Sequence, residues 1–241
     1  MKLRPLAILS AALFSAGAFA TSTQVYVEQN IASNAADDGV YSTEAGALID
    51  ISENGQVYIG FDDQGWLAAG YGHQFSLSDD WSINVYGELG KWETGEEVLV
   101  EALVNYQLHD NMSLFSGLGY NRSGQVLENL SDTAINTNQF IAGANVQFAG
   151  FSLDYTYTHE NSDGTSGYVN LGQESSGYYT QGDYRTNEHE VVLSKQIEDW
   201  TPYLKYTHFN TQEGTLYKDG AALRSPVDND NIWTLGVSYQ F

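Results

Sequence analysis

The side chains best suited to acid–base chemistry are histidines that stand beside glutamates. His159 precedes Glu160, and His189 lies between Glu188 and Glu190. An imidazole next to a carboxylate is the pair that general acid–base catalysis or a metal site requires. No nearby serine or aspartate forms a nucleophile motif, and alternation along an extended chain turns each histidine away from its flanking glutamates. We therefore predict that the protein is not an enzyme and has no catalytic residues.

Acidic residues also gather in the segments that read as loops. Their carboxylate oxygens suit hard cations such as Ca²⁺ or Mg²⁺, but their spacing matches no dedicated calcium-binding loop. We interpret them as a solvated surface and predict neither a metal site nor a cofactor. These loop acids are Asp37, Asp38, Asp163, Glu174, Asp183, Glu213, Asp219, Asp228 and Asp230.

The segment that explains the placement of these residues is 232–241, which reads I-W-T-L-G-V-S-Y-Q-F. Trp233, Leu235 and Val237 alternate with small or polar residues, which predicts a strand with two different surroundings. In a transmembrane β-barrel such a strand turns its apolar side to lipid and its polar side to the lumen, with aromatic residues at the interfaces.

Eleven further segments with the same alternation precede this strand. Short and long connections succeed one another nearly regularly, and segments 30–43, 122–135, 161–184 and 211–229 would all form loops on the outer side. We predict an all-β fold, an antiparallel up-and-down transmembrane barrel of about twelve strands, with ten as the alternative. A soluble lipocalin-like barrel, with apolar residues inside, is the less favoured alternative. The predicted strands are 22–29, 44–52, 56–62, 65–77, 81–90, 96–108, 112–121, 137–148, 151–160, 186–197, 200–210 and 232–241.

The N-terminal twenty residues have the features of a cleaved signal peptide. Lys2 and Arg4 precede a short apolar core, and Ala18-Phe19-Ala20 supplies the small-x-small cleavage pattern. We therefore expect a signal peptide over 1–20 and a barrel over 21–241. The whole chain has no cysteine and a formal net charge of −22, which disfavours nucleic acid as a partner.

The polar sides of the predicted strands would line the lumen with carboxylates. A barrel of about twelve strands lies between the filled eight-stranded and the open sixteen-stranded cases, so a narrow water-filled pore is expected. Acidic side chains in a confined pore favour cations. The predicted pore-lining residues are Asp50, Asp62, Glu88, Glu97, Glu101, Asp154, Glu188, Glu190, Tyr203 and Lys205.

The signal peptide, the chain length, the turn pattern and the closing V-S-Y-Q-F resemble small Gram-negative outer-membrane porins, above all the oligogalacturonate-specific family. This resemblance implies a monomeric twelve-stranded barrel in the outer membrane, in contact with lipid and lipopolysaccharide, that passes small hydrophilic solutes. The family lines its pore with arginine and lysine to guide acidic oligosaccharides. Lys205 is the only basic residue predicted inside, so we expect neutral or cationic solutes, oligosaccharides among them.

Two other functions are compatible with the same fold. One is a non-conducting barrel whose outer loops bind a partner; the tyrosine-rich run 177–184 and Trp92 could stack on sugar rings there, although girdle residues are the simpler interpretation. The other, less favoured, is a hydrolase acting at the rim through His159 and His189.

Overall fold

The computed structural model describes residues 22–32, 41–92, 95–125, 133–169, 176–224 and 229–241. Sixteen β-strands account for nearly all of these residues. They are β1 Thr23–Ala32, β2 Tyr41–Ser52, β3 Gly55–Asp62, β4 Leu67–Ser76, β5 Trp81–Trp92, β6 Gly95–His109, β7 Met112–Gln125, β8 Thr133–Phe148, β9 Phe151–Ser162, β10 Thr165–Val169, β11 Gly177–Gln181, β12 Tyr184–Lys195, β13 Trp200–Glu213, β14 Leu216–Lys218, β15 Ala221–Arg224 and β16 Asn229–Gln240.

Twelve of these strands close into a single antiparallel barrel. Its order is β1-β16-β13-β12-β9-β8-β7-β6-β5-β4-β3-β2, and pairing of β1 with both β16 and β2 completes the ring. The predicted twelve-stranded fold is confirmed, and the ten-stranded alternative is wrong. Closure satisfies the backbone of every strand, which a structure in lipid requires because the acyl chains offer no hydrogen bonds.

The two ends of the barrel differ in the length of their connections. At one end, the turn end, the connections are short; Ala149 and Gly150, both with positive φ, form the two-residue turn between β8 and β9. At the other, the loop end, several strands continue beyond their predicted limits; β7 extends to Gln125, and β8 starts at Thr133. The sequence did not reveal these extensions because residues beyond the apolar band no longer alternate between apolar and polar.

The outward face of the barrel is apolar. Leu118 is 66% exposed and Leu89 is 65% exposed, and valines, isoleucines and further leucines share this face. Aromatic pairs mark the turn end, including Trp81 with Tyr106 and Trp200 with Tyr239, whose ring centroids lie 4.6 Å and 4.7 Å apart. An apolar band with an aromatic girdle is the surface of a transmembrane barrel, so the soluble lipocalin-like alternative is wrong. No helix in the described part of the chain is long and apolar enough to cross a bilayer.

A second, four-stranded sheet stands at the loop end, in the order β10-β11-β14-β15. It combines the β9–β12 connection, which supplies β10 and β11, with the β13–β16 connection, which supplies β14 and β15. The sequence predicted plain loops over 161–184 and 211–229, and this prediction is wrong. The strands are short and rich in glycine, serine and tyrosine, and β11 pairs with β14 from a distant segment, so no local pattern indicated them.

Candidate functional site in the barrel interior

The barrel interior is lined by polar and charged side chains. The structure places six of the predicted pore-lining residues on the inward face as buried side chains: Glu97, Glu101, Asp154, Glu188, Glu190 and Lys205. Four others are half-buried: Asp50, Asp62, Glu88 and Tyr203. Two of these four lie near the ends of the barrel. Asp50 accepts hydrogen bonds from Ser22 and Gln56 at the turn end, and Asp62 accepts them from the backbone N–H groups of Gln64 and Trp66 at the loop end.

An ion pair forms the centre of one side of the interior. Lys205 on β13 lies 3.3 Å from Glu28 on β1, measured between Nζ and Oε1, and both side chains are buried. The Tyr203 hydroxyl donates a hydrogen bond of 2.8 Å to Oε2 of the same glutamate. Glu28 is only 1% exposed, so its charge depends on these two partners, because a buried charge is costly unless it is paired.

Tyrosines hold a second carboxylate beside this pair. The Tyr26 hydroxyl donates a hydrogen bond of 2.6 Å to Oε1 of Glu44, and the Tyr58 hydroxyl lies 2.9 Å from that of Tyr26. On β5, the Tyr86 hydroxyl donates to Glu88 in the same manner. The strand pattern indicated that Glu44 and Tyr86 share a face with other inward residues, but it gave no sign that tyrosine hydroxyls would be the partners of the carboxylates.

Glycines make room for these tyrosine rings. A Cβ atom on Gly46 would lie 2.6 Å from the Tyr26 ring, and one on Gly236 would lie 2.1 Å from the Tyr203 ring. Each glycine stands on a neighbouring strand, so the ring lies flat over it, as aromatic side chains do over glycine in β-sheets. The tyrosines therefore pack along the barrel wall and bring their hydroxyls to the carboxylates.

We call this side of the interior the tyrosine wall. It consists of the inward residues of β13, β16 and β1 to β5, which are adjacent in the ring. Three of its carboxylates, those of Glu28, Glu44 and Glu88, have tyrosine or lysine partners. Its main members are Tyr26, Glu28, Glu44, Tyr58, Tyr86, Glu88, Tyr203 and Lys205.

The opposite side, formed by the inward residues of β6 to β9 and β12, we call the amide wall. Gln139 donates a hydrogen bond of 2.8 Å to Glu160, and Asn145 donates to Asp154. The Glu188 carboxylate interacts electrostatically with Glu190, Glu160 and Lys205, and among the described residues none donates a hydrogen bond to it. The main members of this wall are Glu101, Asn121, Gln139, Asn145, Asp154, Thr158, Glu160, Glu188 and Glu190. A small apolar cluster of Leu103, Phe115 and Ile141 packs within it.

The charge of the interior is strongly unbalanced. Among the described residues, Lys205 is the only buried lysine or arginine. It attracts Glu28, Glu190 and Glu44 together, while Glu88 is repelled by Glu97, Glu101 and Glu44. Acidic side chains therefore far outnumber basic ones among the buried ionisable groups of the described interior.

The histidines lie outside this site. The ring of His159 hydrogen-bonds with Asn187, and that of His189 with the Tyr155 hydroxyl, both at 2.9 Å. Both imidazoles share the outward face with their partners, whereas Glu188 and Glu190 point inward. Among the described residues, no three His, Asp or Glu side chains come together in an arrangement that could hold a metal ion.

The loop acids that the structure describes serve its own turns. Asp219 accepts a hydrogen bond of 2.9 Å from the backbone N–H of Tyr178, and Asp183 accepts one of 2.7 Å from that of Gly164. Asp163 is exposed, and Asp230 accepts from the backbone N–H of Asn231. The predictions for Asp37, Asp38, Glu174 and Asp228 and for the Glu213 side chain lie outside the described part of the structure, as does the predicted signal peptide.

Tyr178 and Tyr179 of the 177–184 run lie on the second sheet, whereas Tyr184 begins β12 of the barrel and is buried. Tyr178 pairs with Tyr168 across β10 and β11, and both rings are exposed, as is that of Tyr217. Tyr179 turns to the other face, where the Lys218 ammonium lies 5.9 Å from its ring centre. Tyr178 and Tyr179 are therefore not girdle residues of the barrel. Trp92, half-buried, ends β5 at the loop end.

Known proteins share the fold of this chain with little sequence identity. No family model and no curated protein matches the sequence. Among solved structures, the NanC porin matches with a TM-score of 0.63 and 13% identity, over 89% of this chain and 98% of that one. The KdgM porin matches with a TM-score of 0.55 and 11% identity, over 90% and 99%, and KdgM in complex with disordered oligogalacturonate gives 0.53. The chain therefore has the closed twelve-stranded barrel fold of the NanC and KdgM porins.

Proposed function

We propose that this protein is an outer-membrane channel that passes small hydrophilic solutes and prefers cationic or neutral solutes to anions. The fold shared with two porins supports a channel. The observation that carries the preference is the unbalanced charge of the interior, in which Lys205 stands alone among carboxylates from both walls.

The charge argument rests on confinement. A carboxylate inside a narrow barrel acts on a passing ion through a region of low dielectric constant, where its field is screened less than in bulk water. A passing anion would be repelled by the carboxylates of Glu28, Glu44, Glu101, Glu188 and Glu190. A passing cation would instead exchange part of its water shell for favourable contacts with these carboxylates. One KdgM structure is a complex with disordered oligogalacturonate, an acidic oligosaccharide, whereas the buried ionisable side chains of this chain are mostly acidic and would repel such an anion. We therefore do not extend that solute class to this chain.

The closely filled interior limits the size of the solutes that the proposed channel would pass. Side chains with at most 2% exposure come from both walls: Glu28 and Thr234 from the tyrosine wall, and Glu101, Ile141 and Thr158 from the amide wall. Such burial supports a narrow passage for ions and small solutes. It supports larger oligosaccharides less well.

The location and the assembly state complete the proposal. We infer that residues 1–20 direct export and are removed, and that residues 21–241 insert into the outer membrane as a monomer, in contact with lipid and lipopolysaccharide. The apolar outward face and its aromatic pairs support insertion.

Recordings across planar bilayers test the proposal. The purified barrel should give discrete conductance steps, and its reversal potential in a KCl gradient should have the sign of cation preference. The double variant Glu101→Gln/Glu190→Gln should reduce that preference. Glu96→Gln, which removes one exposed carboxylate next to the buried Glu97 on the same strand, is the matched control and should leave it unchanged.

Two results would contradict the proposal. Anion preference in the wild-type protein would refute the charge argument. A correctly folded barrel that never conducts would favour the alternative in which the outer loops bind a partner. A rim-acting hydrolase receives no support from the positions of His159 and His189, which face outward, away from Glu188 and Glu190.

A further inference from the structure

The amide wall contains a group of side-chain oxygen atoms for which the described residues supply neither a full set of hydrogen bonds nor a matching positive charge. Thr158 on β9 lies directly opposite Glu188 on β12, and Glu160 is the next inward residue on β9. Diagonal neighbours across paired strands are close enough for long side chains to meet. Glu160 and Glu188 are diagonal neighbours in this register, and their acidic side chains interact electrostatically.

The Thr158 hydroxyl is an independent sign that something is bound here. Thr158 is 1% exposed, and its Oγ1 atom has no hydrogen-bond partner in the structure. An unpaired buried hydroxyl costs free energy, and natural proteins seldom leave one without a ligand or water. Its position opposite Glu188 places the hydroxyl at the edge of the carboxylate pair.

Gln139 fixes one of the two carboxylates. Its Nε2 atom donates a hydrogen bond of 2.8 Å to Oε1 of Glu160, and its own Oε1 atom is buried without a partner. The amide thus orients the Glu160 carboxylate, which also interacts favourably with the His159 imidazole. The Lys205 ammonium, which attracts Glu188, is already paired with Glu28 at 3.3 Å.

We propose that Glu160, Glu188 and Thr158 form a binding site for a divalent hard cation, with Ca²⁺ as the best match. The two carboxylates supply the charge that a divalent ion needs, and the threonine hydroxyl supplies a neutral oxygen. Ca²⁺ accepts six to eight oxygen ligands in flexible geometry, and water completes such sets. Gln139 is a positioning residue, because it acts on the ion through Glu160.

This inference deepens the proposed function, because the site would lie on the route of a permeating cation. The proposed function and the site can nevertheless fail separately. Binding is measured on protein in detergent, without any conductance, whereas conduction is measured in bilayers on the same preparation. A channel without the site and a site without conduction are therefore distinguishable results.

Calorimetric titration of the chelator-treated barrel with CaCl2 tests the site. We expect saturable binding to the wild-type protein, at least a tenfold weaker affinity for Glu188→Gln, and a smaller loss for Thr158→Val, which keeps the shape of the side chain. Glu53→Gln removes one exposed carboxylate at a turn and is the matched control, with unchanged affinity expected. Circular dichroism of each variant establishes that the barrel is folded.

Two results would overturn the inference. If Glu188→Gln and Thr158→Val both bind Ca²⁺ as the wild-type protein does, any binding belongs to the loop acids. If the wild-type protein binds no Ca²⁺, water and protons alone satisfy these carboxylates and the hydroxyl.

Discussion

The two walls of the barrel interior carry carboxylates in different ways. On the tyrosine wall, Glu28 and Glu44 accept hydrogen bonds from tyrosine hydroxyls, and Glu28 also has its own lysine. On the amide wall, Glu188 interacts with the acidic side chains of Glu190 and Glu160 and with Lys205, and no described residue donates a hydrogen bond to it. Described partners therefore hold Glu28 and Glu44 on the first wall, whereas the cation proposed above would neutralise Glu160 and Glu188 on the second. Under this proposal the first set of acids has a structural role and the second set a binding role.

The largest expected effect comes from removing the cation of the tyrosine wall. Lys205→Met leaves Glu28 buried without its ion-pair partner, and breaking a buried pair in this way costs about 3–5 kcal/mol. Glu188→Gln on the amide wall should change stability by less than about 0.5 kcal/mol or increase it, because it removes a repelled charge. Urea unfolding in detergent measures both free energies.

The control for Lys205→Met is the double variant Glu28→Gln/Lys205→Met. It removes both charges, so it should recover most of the lost stability. If Lys205→Met alone proves as stable as the wild-type protein, the tyrosine wall does not depend on its ion pair and the contrast between the walls is wrong.

A methyl group placed beneath a tyrosine should have the next largest effect. Gly236→Ala puts a Cβ atom 2.1 Å from the Tyr203 ring, so the ring must leave the wall and move its hydroxyl away from Glu28. Such overpacking costs about 2 kcal/mol, and the displaced ring should also reduce conductance.

Gly87→Ala is the matched substitution for this prediction. The nearest atom to its added Cβ is a backbone oxygen 3.9 Å away, so no clash arises and stability should be kept. Equal unfolding midpoints for Gly236→Ala and the wild-type protein would show that the ring does not need the space above Gly236.

The smallest expected effect comes from removing one hydroxyl of the tyrosine wall. Tyr26→Phe keeps the ring over Gly46 but deletes the hydrogen bond to Glu44, and a hydrogen bond to a charged group contributes about 1.5 kcal/mol. Tyr120→Phe deletes an exposed hydrogen bond of 2.7 Å to Asn136, and it should cost about 0.5 kcal/mol or less. Similar losses of unfolding free energy in Tyr26→Phe and Tyr120→Phe would mean that burial at the tyrosine wall does not strengthen the contribution of the hydrogen bond to stability.

Much of the barrel could be predicted from the sequence because alternation is a local signal. Val98, Val100 and Val104 alternate with Glu97 and Glu101 along β6, and this pattern alone indicates which side faces lipid. The number of barrel strands and the prediction that the long connections share one end of the barrel followed from the same alternating pattern. The four strands of the second sheet did not, because they are short and their pairing joins distant segments.

The interior site could be predicted only as a set of inward acids. Glu28 and Lys205 are 177 positions apart, and their contact depends on the register at which β1 and β13 flank β16. Alternation predicts whether a side chain faces the lumen or the lipid. It does not predict the position of that side chain along the barrel axis relative to a distant strand. For the same reason, no sequence pattern placed Gly236 beneath Tyr203 or Thr158 opposite Glu188.

The second sheet has a mechanical consequence for the loop end of the barrel. β11 and β14 come from different connections. The Asp219 backbone N–H donates a hydrogen bond to the Tyr178 carbonyl, and the Asp219 carboxylate accepts one from the Tyr178 N–H, so moving one connection alone would break these bonds. An epitope inserted into one connection should therefore loosen the other as well, because the two connections share one sheet.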